Sequence, residues 1–550
     1  AIDRLAGLKI SANGKDIGWT RNPLDVYAFH VNVPEGAREG VAEFQFLNPT
    51  TEAVGRISVT DKMLNLSFDM ASLYPAGYYV RQIPVQATVT YPAGWTPYSA
   101  LRGKMTGATM AYDPVDYETL VDSPVFAGKY SSTTDLGSGV ALNIVADSKE
   151  ELDAKPEQIA MHKKLVAEAL ALFGARHFDH YDFLLAITDE MGGIGLEHHR
   201  SSENGVDTGY FTKWADGPGD RNLLPHEFTH SWDGKFRRPA RLWTPDYRQP
   251  MQGNLLWVYE GQNQFWGLVL AARSGVQSKD AVLGMWANYA GLYTQWPGRS
   301  WRSVEDTGHE PTIAQRRPKP FASLERNEDY YTEGALVWLE ADQIIRAGTR
   351  GAKGLDDFAK LFFGVKDGDI GEVPYEFNDV VAALNTVYPY DWATFLNARI
   401  NTPGQPAPLG GIEKSGYRLV WKEEPNPYDK GRSGAALNLF HSLGVTLDKD
   451  GRVTATRWDS AAFNAGVVNG AKVLAVNGIA YDPAAMKAAI TEAKAADKSV
   501  NLIIQRGEKV RLISIPYHDG LRFPWLERAV PDGTPAGLDL LLAPRRNTAR

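Results

Sequence analysis

His226-Glu227-Phe228-Thr229-His230 is the stretch of this 550-residue chain that says most about its fold and chemistry. Its H-E-x-x-H spacing predicts a helix on which the two histidines share one face, because residues four apart lie one turn above each other. Two imidazoles placed so can hold one metal ion, and Glu227 lies near enough to take a proton from a metal-activated water. The pentapeptide therefore predicts a metal-dependent hydrolase; a surface pair of histidines is the alternative.

A third protein ligand is expected, because catalytic zinc usually takes three and leaves one position for water. The chain contains no cysteine, so this ligand must be His, Asp or Glu. Glu260 is the candidate, thirty residues after His230 and at the start of a second apolar-periodic helix. Gly261 follows it and lets another backbone approach closely. The sequence thus predicts a zinc site made by His226, His230 and Glu260.

Composition restricts the class of protein and its partners. Hydrophobic content of 43% and charged content of 23% are typical of globular protein. A net charge of −8 with no basic tract argues against nucleic acid and anionic membrane as partners, and no apolar run is long enough to span a bilayer. The chain starts without Met and lacks cysteine, so we expect a removed leader and a periplasmic or secreted protein, with the cytoplasm as the alternative.

Changes of pattern along the chain predict several domains, as its length suggests. Residues 1–120 alternate apolar and polar side chains with period two, which is typical of an antiparallel β domain. Helical spacing dominates residues 121–405 and predicts a mainly helical catalytic domain with a small β-sheet ahead of the H-E-x-x-H element. The fold class is accordingly multidomain α+β. A linking segment at residues 406–433, a compact α/β unit at 434–520 and a C-terminal tail at 521–550 complete it, and the final stretch from Pro531 to Arg550 is expected to dock loosely.

Four motifs, in this order, resemble those of the glycyl aminopeptidase family of gluzincin zinc metallopeptidases, which is related more distantly to aminopeptidase N and leukotriene A4 hydrolase. They are Gly195-Leu196-Glu197-His198, the H-E-x-x-H element, Trp257-Val258-Tyr259-Glu260-Gly261 and Asp329-Tyr330-Tyr331-Thr332-Glu333-Gly334. The resemblance spans residues 1 to about 520. It implies a β-rich domain ahead of a thermolysin-like catalytic domain, and a PDZ domain behind it.

The resemblance implies an aminopeptidase that removes N-terminal glycine, and less readily alanine, from peptides with a free N-terminus. His226, His230 and Glu260 would hold one Zn²⁺, the only cofactor expected. Glu227 would act as general base and then as proton donor to the leaving amine. Tyr331 would hydrogen-bond the oxyanion, a charge that develops only in the transition state.

Substrate binding is assigned by the same resemblance to Glu197, with Gly195 beside it. Glu197 would pair with the α-ammonium of the substrate and so fix the cut after one residue, since a carboxylate attracts a cationic N-terminus and repels chain carboxylates. An ordinary carboxylate at a strand edge is the alternative for Glu197.

Three positions depart from the family pattern, and none of them removes a metal ligand. His198 and Asp233 stand where asparagine is expected, and Glu333 stands where lysine is usual. Glu333 is expected to add negative charge near the proposed tyrosine. Tyr330 therefore remains a rival to Tyr331 and a candidate substrate contact.

Leu443-Gly444-Val445, in the run Ser442 to Leu447, resembles the carboxylate-binding loop of a bacterial PDZ domain. Such a loop receives a peptide carboxylate while the peptide adds a strand to the sheet edge. One interpretation is that this unit contacts a peptide or another copy of the chain. The other is that it is a fixed domain that only forms one wall of the active site.

Two alternatives to the aminopeptidase interpretation stay open. The first is a zinc endopeptidase, in which Glu197 does not bind an amine. The second is a peptide-binding PDZ scaffold with a vestigial catalytic domain, against which the complete set of ligands, base and tyrosine argues.

Overall fold

The computed structural model describes residues 2–215, 221–431 and 436–545. They divide into two compact units. The first contains residues 1–155, 178–212 and 244–250, and the second contains residues 156–177, 213–243 and 251–550. The boundary predicted between residues 433 and 434 lies outside the described residues, and the predicted domain limits stay predictions.

The first unit begins with a β-rich region whose strands form small antiparallel sheets. Alternating apolar residues build its core, because side chains two apart share one face of a strand. Leu64, Leu66, Val85 and Val89 all pack against the buried cluster around Phe68. The elements are β1 (Leu5–Ala12), β2 (Lys15–Ile17), β3 (Trp19–Arg21), β4 (Phe29–Val31), β5 (Gly40–Phe46), β6 (Met63–Leu66), β7 (Pro84–Val85), β8 (Thr88–Thr90), β9 (Thr96–Tyr98), β10 (Gly103–Thr106), β11 (Thr109–Tyr112), β12 (Val115–Asp116), α1 (Tyr117–Val121) and β13 (Val125–Gly128).

A five-stranded mixed sheet completes the first unit. Its strands are β14 (Tyr130–Gly137), β15 (Val140–Ala146), β16 (Tyr181–Ile187), β17 (Gly195–Glu197) and β18 (Ser201–Val206), in the order β14-β15-β16-β18-β17. The central strand β16 pairs in parallel with both neighbours, and all seven of its residues are buried. A strand covered on both faces needs a continuous apolar run, which is what Phe183 to Ile187 supplies.

Helices make up most of the second unit, and they follow the apolar periodicity of the sequence. Its helices up to residue 431 are α2 (Pro156–Phe173), α3 (Leu223–Thr229), α4 (Leu256–Ser274), α5 (Lys279–Tyr293), α6 (Val304–Thr307), α7 (Glu310–Ile313), α8 (Ala322–Glu325), α9 (Thr332–Gly348), α10 (Leu355–Phe362), α11 (Phe377–Val387), α12 (Trp392–Leu396), α13 (Gly410–Lys414) and α14 (Pro427–Gly431), with a π-helical turn at Asn397–Asn401. Three short strands lie among them, β19 (Arg237–Pro239), β20 (Val373–Tyr375) and β21 (Tyr417–Lys422).

Two glycines let α4 and α9 pack backbone to backbone. A Cβ atom added to Gly261 would lie 2.9 Å from the carbonyl oxygen of Tyr330 and 3.1 Å from the Cα of Gly334. Only glycine fits at such a separation. One turn earlier in α4, the Trp257 ring stacks on Trp338 with 5.4 Å between ring centroids. The close approach predicted after Glu260 is therefore confirmed, and it brings the start of α9 against the start of α4.

The remaining elements of the second unit form a C-terminal module, defined here as residues 436–520, and a closing strand and helix. They are β22 (Ala436–Leu439), β23 (Val445–Asp448), β24 (Val453–Thr456), α15 (Ala461–Asn464), β25 (Lys472–Val476), β26 (Ile479–Ala480), α16 (Pro483–Ala496), β27 (Val500–Arg506), β28 (Lys509–Ile515), β29 (Phe523–Arg528) and α17 (Gly537–Leu542). The module has its own apolar core.

Residues 523–542 of the C-terminal tail pack against the rest of the second unit, including α17, which lies in the stretch expected to dock loosely. Strand β29 pairs with β21 along six residues, and α17 buries Leu538, Leu541 and Leu542. The buried Arg273 also donates a hydrogen bond to the Leu541 carbonyl at 2.9 Å. Three buried leucines among its six residues give α17 an apolar face that outweighs the nearby Pro and Gly.

Among the residues that the structure describes, no helix combines the length and the apolar character needed to cross a bilayer.

Candidate metal centre

The histidine pair lies at the end of α3. His226 is in the last turn of this helix, and His230 is its C-cap with helical φ and ψ of −61° and −22°. Pro225 occupies the first turn, where its missing N–H costs no helical hydrogen bond. The Thr229 hydroxyl donates to the carbonyls of Pro225 and His226 at 2.8 Å and so stabilises the C-terminal end of the short helix. Both imidazoles are buried and lie on one face, as the spacing predicts.

Glu260 on α4 completes a tight triangle with the two imidazoles. His226 Nε2 and His230 Nε2 are 3.2 Å apart, and Glu260 Oε2 lies 3.5 and 3.3 Å from them. Atoms bound at about 2.0–2.1 Å to one tetrahedral zinc would be separated by roughly 3.3–3.4 Å. Three buried donors of the right chemistry at these distances fit a single Zn²⁺.

Glu227 belongs to the same cluster. One of its carboxylate oxygens and a ring nitrogen of each histidine all lie within 4.8 Å of one another, and the residue is buried. Burial alone would raise the pKa of Glu260, but the charges and hydrogen bonds of His230 and His226 lower it well below its usual range. The cluster therefore places an ionised carboxylate, Glu260, and a second carboxylate, Glu227, beside the same two imidazoles.

A second layer of contacts orients His230. Its Nδ1 lies 3.1 Å from the carbonyl oxygen of Asp233 and 2.6 Å from the side-chain amide of Asn263, which itself donates to the Asp233 carbonyl at 2.8 Å. The Asp233 carbonyl can only accept, so it favours a proton on Nδ1, which leaves Nε2 free to act as a ligand. The Asn263 amide nitrogen is a donor and supports this arrangement through its hydrogen bond to the same carbonyl. The sequence did not single out Asn263 as a residue of this site, although it lies three residues after Glu260 and therefore on the same face of the helix.

Asp233 stands where the family pattern has asparagine, and its environment explains why this is tolerated. The side chain is fully buried, and Tyr375 donates a hydrogen bond to it at 3.4 Å. Burial, reinforced by the negative charge of Glu260, raises the pKa of Asp233 well above its ordinary value despite the opposing charge of His230. Burial of Asp233 therefore disfavours its charged form, which is the form that differs most from an amide.

The two candidate tyrosines lie just before α9. The ring of Tyr331 is half-buried, and its centroid is 6.0 Å from that of His226. The ring of Tyr330 is only 2% exposed and packs on Tyr331 at 4.8 Å. Burial raises the pKa of Tyr330 further above its usual value, with the charges of Glu328 and Glu260 adding to the effect. Of the two, Tyr331 is the more accessible.

Glu333 does not act as an extra negative charge, contrary to expectation. It is buried and forms ion pairs with Arg326 and, at 2.8 Å, with Arg299. Arg326 also binds Asp329 at 2.6 Å. Two guanidinium groups thus neutralise the carboxylates that flank Tyr330 and Tyr331, and they fix the turn that carries both rings.

The sequence did not single out Glu328 and Arg316 as residues of this site. Arg316 Nε lies 3.6 Å from Glu328 Oε1, and Arg316 adopts a left-handed φ of 58°. Burial raises the pKa of Glu328; the charge of Glu260 adds to this and that of Arg316 opposes it. No spacing signal links residues 316 and 328, because a loop brings them together.

Glu197 and Gly195 belong to the first unit, whereas the histidine cluster belongs to the second. Both lie on β17, where Gly195 pairs with Asn204 and Glu197 with Ser202 of β18. Glu197 is half-buried. Its role as the partner of a substrate α-ammonium stays a prediction.

His198, the other departure in that motif, is a buried cation. Its Nδ1 lies 3.2 Å from Asp122 and its Nε2 lies 2.9 Å from Glu203, which also accepts from Asn65. Burial disfavours the charge, but the hydrogen bonds and charges of Asp122 and Glu203 outweigh it and raise the pKa to about 9. His198 therefore clamps the hairpin that presents Glu197.

In the C-terminal module, the structure places Leu443 in the core, Gly444 at a φ of +90° and Val445 at the start of β23. Strand β23 is central in its sheet, paired with β22 on one edge and β24 on the other. The N–H groups of Ser442 and Gly444 both donate to the Leu439 carbonyl. A peptide strand therefore has no open edge on β23 in this structure.

Comparison with known proteins agrees with this site. Residues 220–337 match the family described as M61 glycyl aminopeptidase, and residues 1–129 match the Peptidase M61 N-terminal domain. No curated protein matches the chain. An aminopeptidase N family protein from Idiomarina loihiensis has a similar fold, with a TM-score of 0.79 and 17% identity over 99% of this chain and 92% of that chain.

Two further solved structures are less similar. Yeast LTA4 hydrolase in complex with bestatin has a TM-score of 0.44 and 14% identity, covering 73% of this chain and 62% of its own. An M1 zinc metallopeptidase from Deinococcus radiodurans has a TM-score of 0.46 and 15% identity, covering 74% and 87%. The two matched regions are those of the M61 peptidase family, and the protein is accordingly a metallo-aminopeptidase.

Proposed function

We propose that the protein is a zinc aminopeptidase that removes small N-terminal residues, glycine first and alanine less readily, from peptides. The observation that carries the proposal is the triangle of His226 Nε2, His230 Nε2 and Glu260 Oε2, with sides of 3.2 to 3.5 Å, beside Glu227. The preference for glycine rests on the family resemblance alone.

Each site residue has its own role in the proposed reaction. Bound zinc would supply Lewis acidity, which makes a water molecule acidic near neutral pH. Glu227 takes a proton from the attacking water and returns it to the leaving amine. Tyr331 donates a hydrogen bond to the oxygen of the scissile carbonyl, which its exposure and its proximity to His226 support. Glu197 pairs with the substrate α-ammonium, as the Gly195–Glu197 motif suggests.

Replacement of Glu227 by glutamine tests the chemistry. The variant should retain about one zinc per chain, measured by metal analysis, and should lose turnover of glycine amides by about 10²-fold or more, since general-base catalysis is removed. Glu508→Gln, an exposed acid of the C-terminal module, is the matched control. Full activity of the Glu227 variant, or of wild-type protein freed of metal, would refute the proposal.

Exopeptidase action is separated from endopeptidase action by comparing free and N-acetylated forms of one peptide. Wild-type protein should cleave only the free form. Glu197→Ala should lose activity on that form without gaining any on the acetylated one. Equal cleavage of both peptides by wild-type protein would favour the endopeptidase.

For the C-terminal module we propose a PDZ-type fold spanning residues 434–520, supported by the Ser442–Leu447 run and by the β-rich core. The absence of cysteine supports a periplasmic or secreted location. Cell fractionation of the source organism tests the location directly.

A further inference from the structure

The segment that leads into β17 is held by Arg56, a residue of the N-terminal β-rich region. Arg56 Nε donates to the carbonyl oxygen of Gly192 at 2.9 Å and to that of Gly193 at 3.3 Å. The Gly192 amide donates in turn to the Ile57 carbonyl at 3.0 Å. The two segments are therefore joined in both directions, a few residues before Glu197.

The contact between Arg56 and Gly192 leaves no room for a side chain. A Cβ atom added to Gly192 would lie 2.8 Å from the Arg56 Cγ, which is closer than van der Waals contact allows. A Cβ atom added to the next residue, Gly193, would meet nothing within 4 Å. Neither glycine has a positive φ, so Gly192 is required for the close approach of Arg56 and not for its backbone conformation.

The other end of Arg56 begins a chain of hydrogen bonds that reaches the far side of Glu197. Arg56 Nη1 donates to Asn65 Oδ1 at 2.7 Å, and Asn65 Nδ2 donates to Glu203 on β18. Glu203 also binds the imidazole of His198 at 2.9 Å. The chain of contacts thus begins before β17 and ends at the residue after Glu197.

Arg56 uses its N–H groups on backbone and amide oxygens. Within the described part of the chain it forms no ion pair, and the charge of Glu203 acts on it through Asn65. A guanidinium is planar and carries five N–H groups in a fixed arrangement, so one side chain can bind two carbonyls and an amide oxygen at once. A side chain with a single point of charge could not replace it.

Glu197 needs such support because its strand is weakly fixed by the sheet. Strand β17 is three residues long and lies at the edge of the sheet, where β18 is its neighbour. A side chain that binds a substrate group must be held within about 0.5 Å of its productive position. The contacts of Arg56 before the strand and of His198 after it supply restraints that the short ladder lacks.

We propose that Arg56 is a positioning residue for recognition of the substrate α-ammonium, acting on Glu197 through the carbonyls of Gly192 and Gly193. The role of Glu197 rests on the proposed function, whereas the contacts of Arg56 do not depend on it. The proposal gives the N-terminal β-rich region a part in substrate selection: it holds the strand that carries the amine-binding carboxylate.

The test compares two small hydroxamates by calorimetry on the full-length, zinc-loaded protein. Glycine hydroxamate and acetohydroxamate carry the same zinc-binding group, and only the first has an α-ammonium. The ratio of their Kd values therefore isolates recognition of the amine and does not depend on turnover. Wild-type protein should bind glycine hydroxamate about tenfold or more tightly, since a charge-assisted hydrogen bond is worth that much.

Two variants disturb the Arg56 contact from opposite sides. Arg56→Met removes the donors, and Gly192→Ala displaces Arg56 without removing any hydrogen-bonding group. Each should reduce the preference for glycine hydroxamate about fivefold or more and leave the Kd of acetohydroxamate within about twofold, since the lost pairing involves only the amine. Gly193→Ala, at the open neighbouring position, should keep the wild-type ratio and is the matched control.

The possible outcomes separate this inference from the proposed function. An unchanged ratio in both Arg56→Met and Gly192→Ala would overturn the inference and leave the proposed function intact. An equal loss of affinity for both hydroxamates would also overturn it, because it would indicate a general structural role for Arg56. Wild-type protein that binds both hydroxamates equally would refute the proposed role of Glu197, and this inference with it.

Discussion

Gly261 and Gly334 meet across α4 and α9 with no room for a side chain between them. The methyl group of Gly261→Ala would collide with the Gly334 Cα and with the Tyr330 carbonyl. We expect a loss of about 1–3 kcal/mol in the free energy of unfolding, as for other overpacked cores. We also expect a lower kcat, because the displaced backbone carries Tyr331. Gly193→Ala, where a Cβ meets nothing within 4 Å, should change neither value in denaturant titration and steady-state assays.

A pair of phenylalanine variants distinguishes the role of Tyr331 from that of Tyr330. Tyr331→Phe should lower kcat by about 10²-fold or more with little change in KM, since an oxyanion donor acts mainly in the transition state. Tyr330→Phe should retain most activity and lose stability, because its hydroxyl lies in a buried environment beside Glu328. Steady-state kinetics and thermal unfolding distinguish the two. A larger kcat loss in Tyr330→Phe would reverse the assignment.

Glu333→Gln should be strongly destabilising, although glutamine has nearly the same shape. The substitution leaves Arg326 and Arg299 without their shared carboxylate, and Arg326 is almost completely buried. Breaking a buried ion pair in this way costs about 3–5 kcal/mol. Glu328→Gln, at a neighbouring and less buried acid, should cost less in urea denaturation. Unchanged stability of Glu333→Gln would show that the cluster is not a structural anchor.

His198 should make the stability of the protein depend on pH above neutrality. Its folded pKa of about 9 exceeds the usual value of about 6.5, so its contribution is complete below pH 6.5 and disappears as the pH rises through 9. The contribution lost is on the order of 3 kcal/mol. Urea denaturation between pH 6.5 and 9.5 should show this loss in wild-type protein and a flatter profile in His198→Asn. The same slope in both proteins would contradict the assignment.

The sequence predicted the features that follow from periodicity. The i, i+4 pair of His226 and His230 required only a helix, and Glu260 required only a second helix with a small residue next to it. The alternation of Leu64, Leu66, Val85 and Val89 was likewise sufficient to place their side chains in one β core.

Features that depend on long-range contacts could not be predicted in this way. The neutralisation of Glu333 needs Arg299 and Arg326, which reach it from a separate turn and a separate loop. The raised pKa of Asp233 depends on its complete burial, which results from the packing of residues distant in sequence.

The pairing of β21 with β29 bears on how the gene could have been assembled. Lys422 is the register partner of Phe523, so the chain leaves and re-enters the helical body at adjacent positions of one antiparallel ladder. The C-terminal module is therefore an insertion into a hairpin rather than an appendage to its end. A tight turn joining residues 422 and 523 would excise the module while keeping that ladder in register.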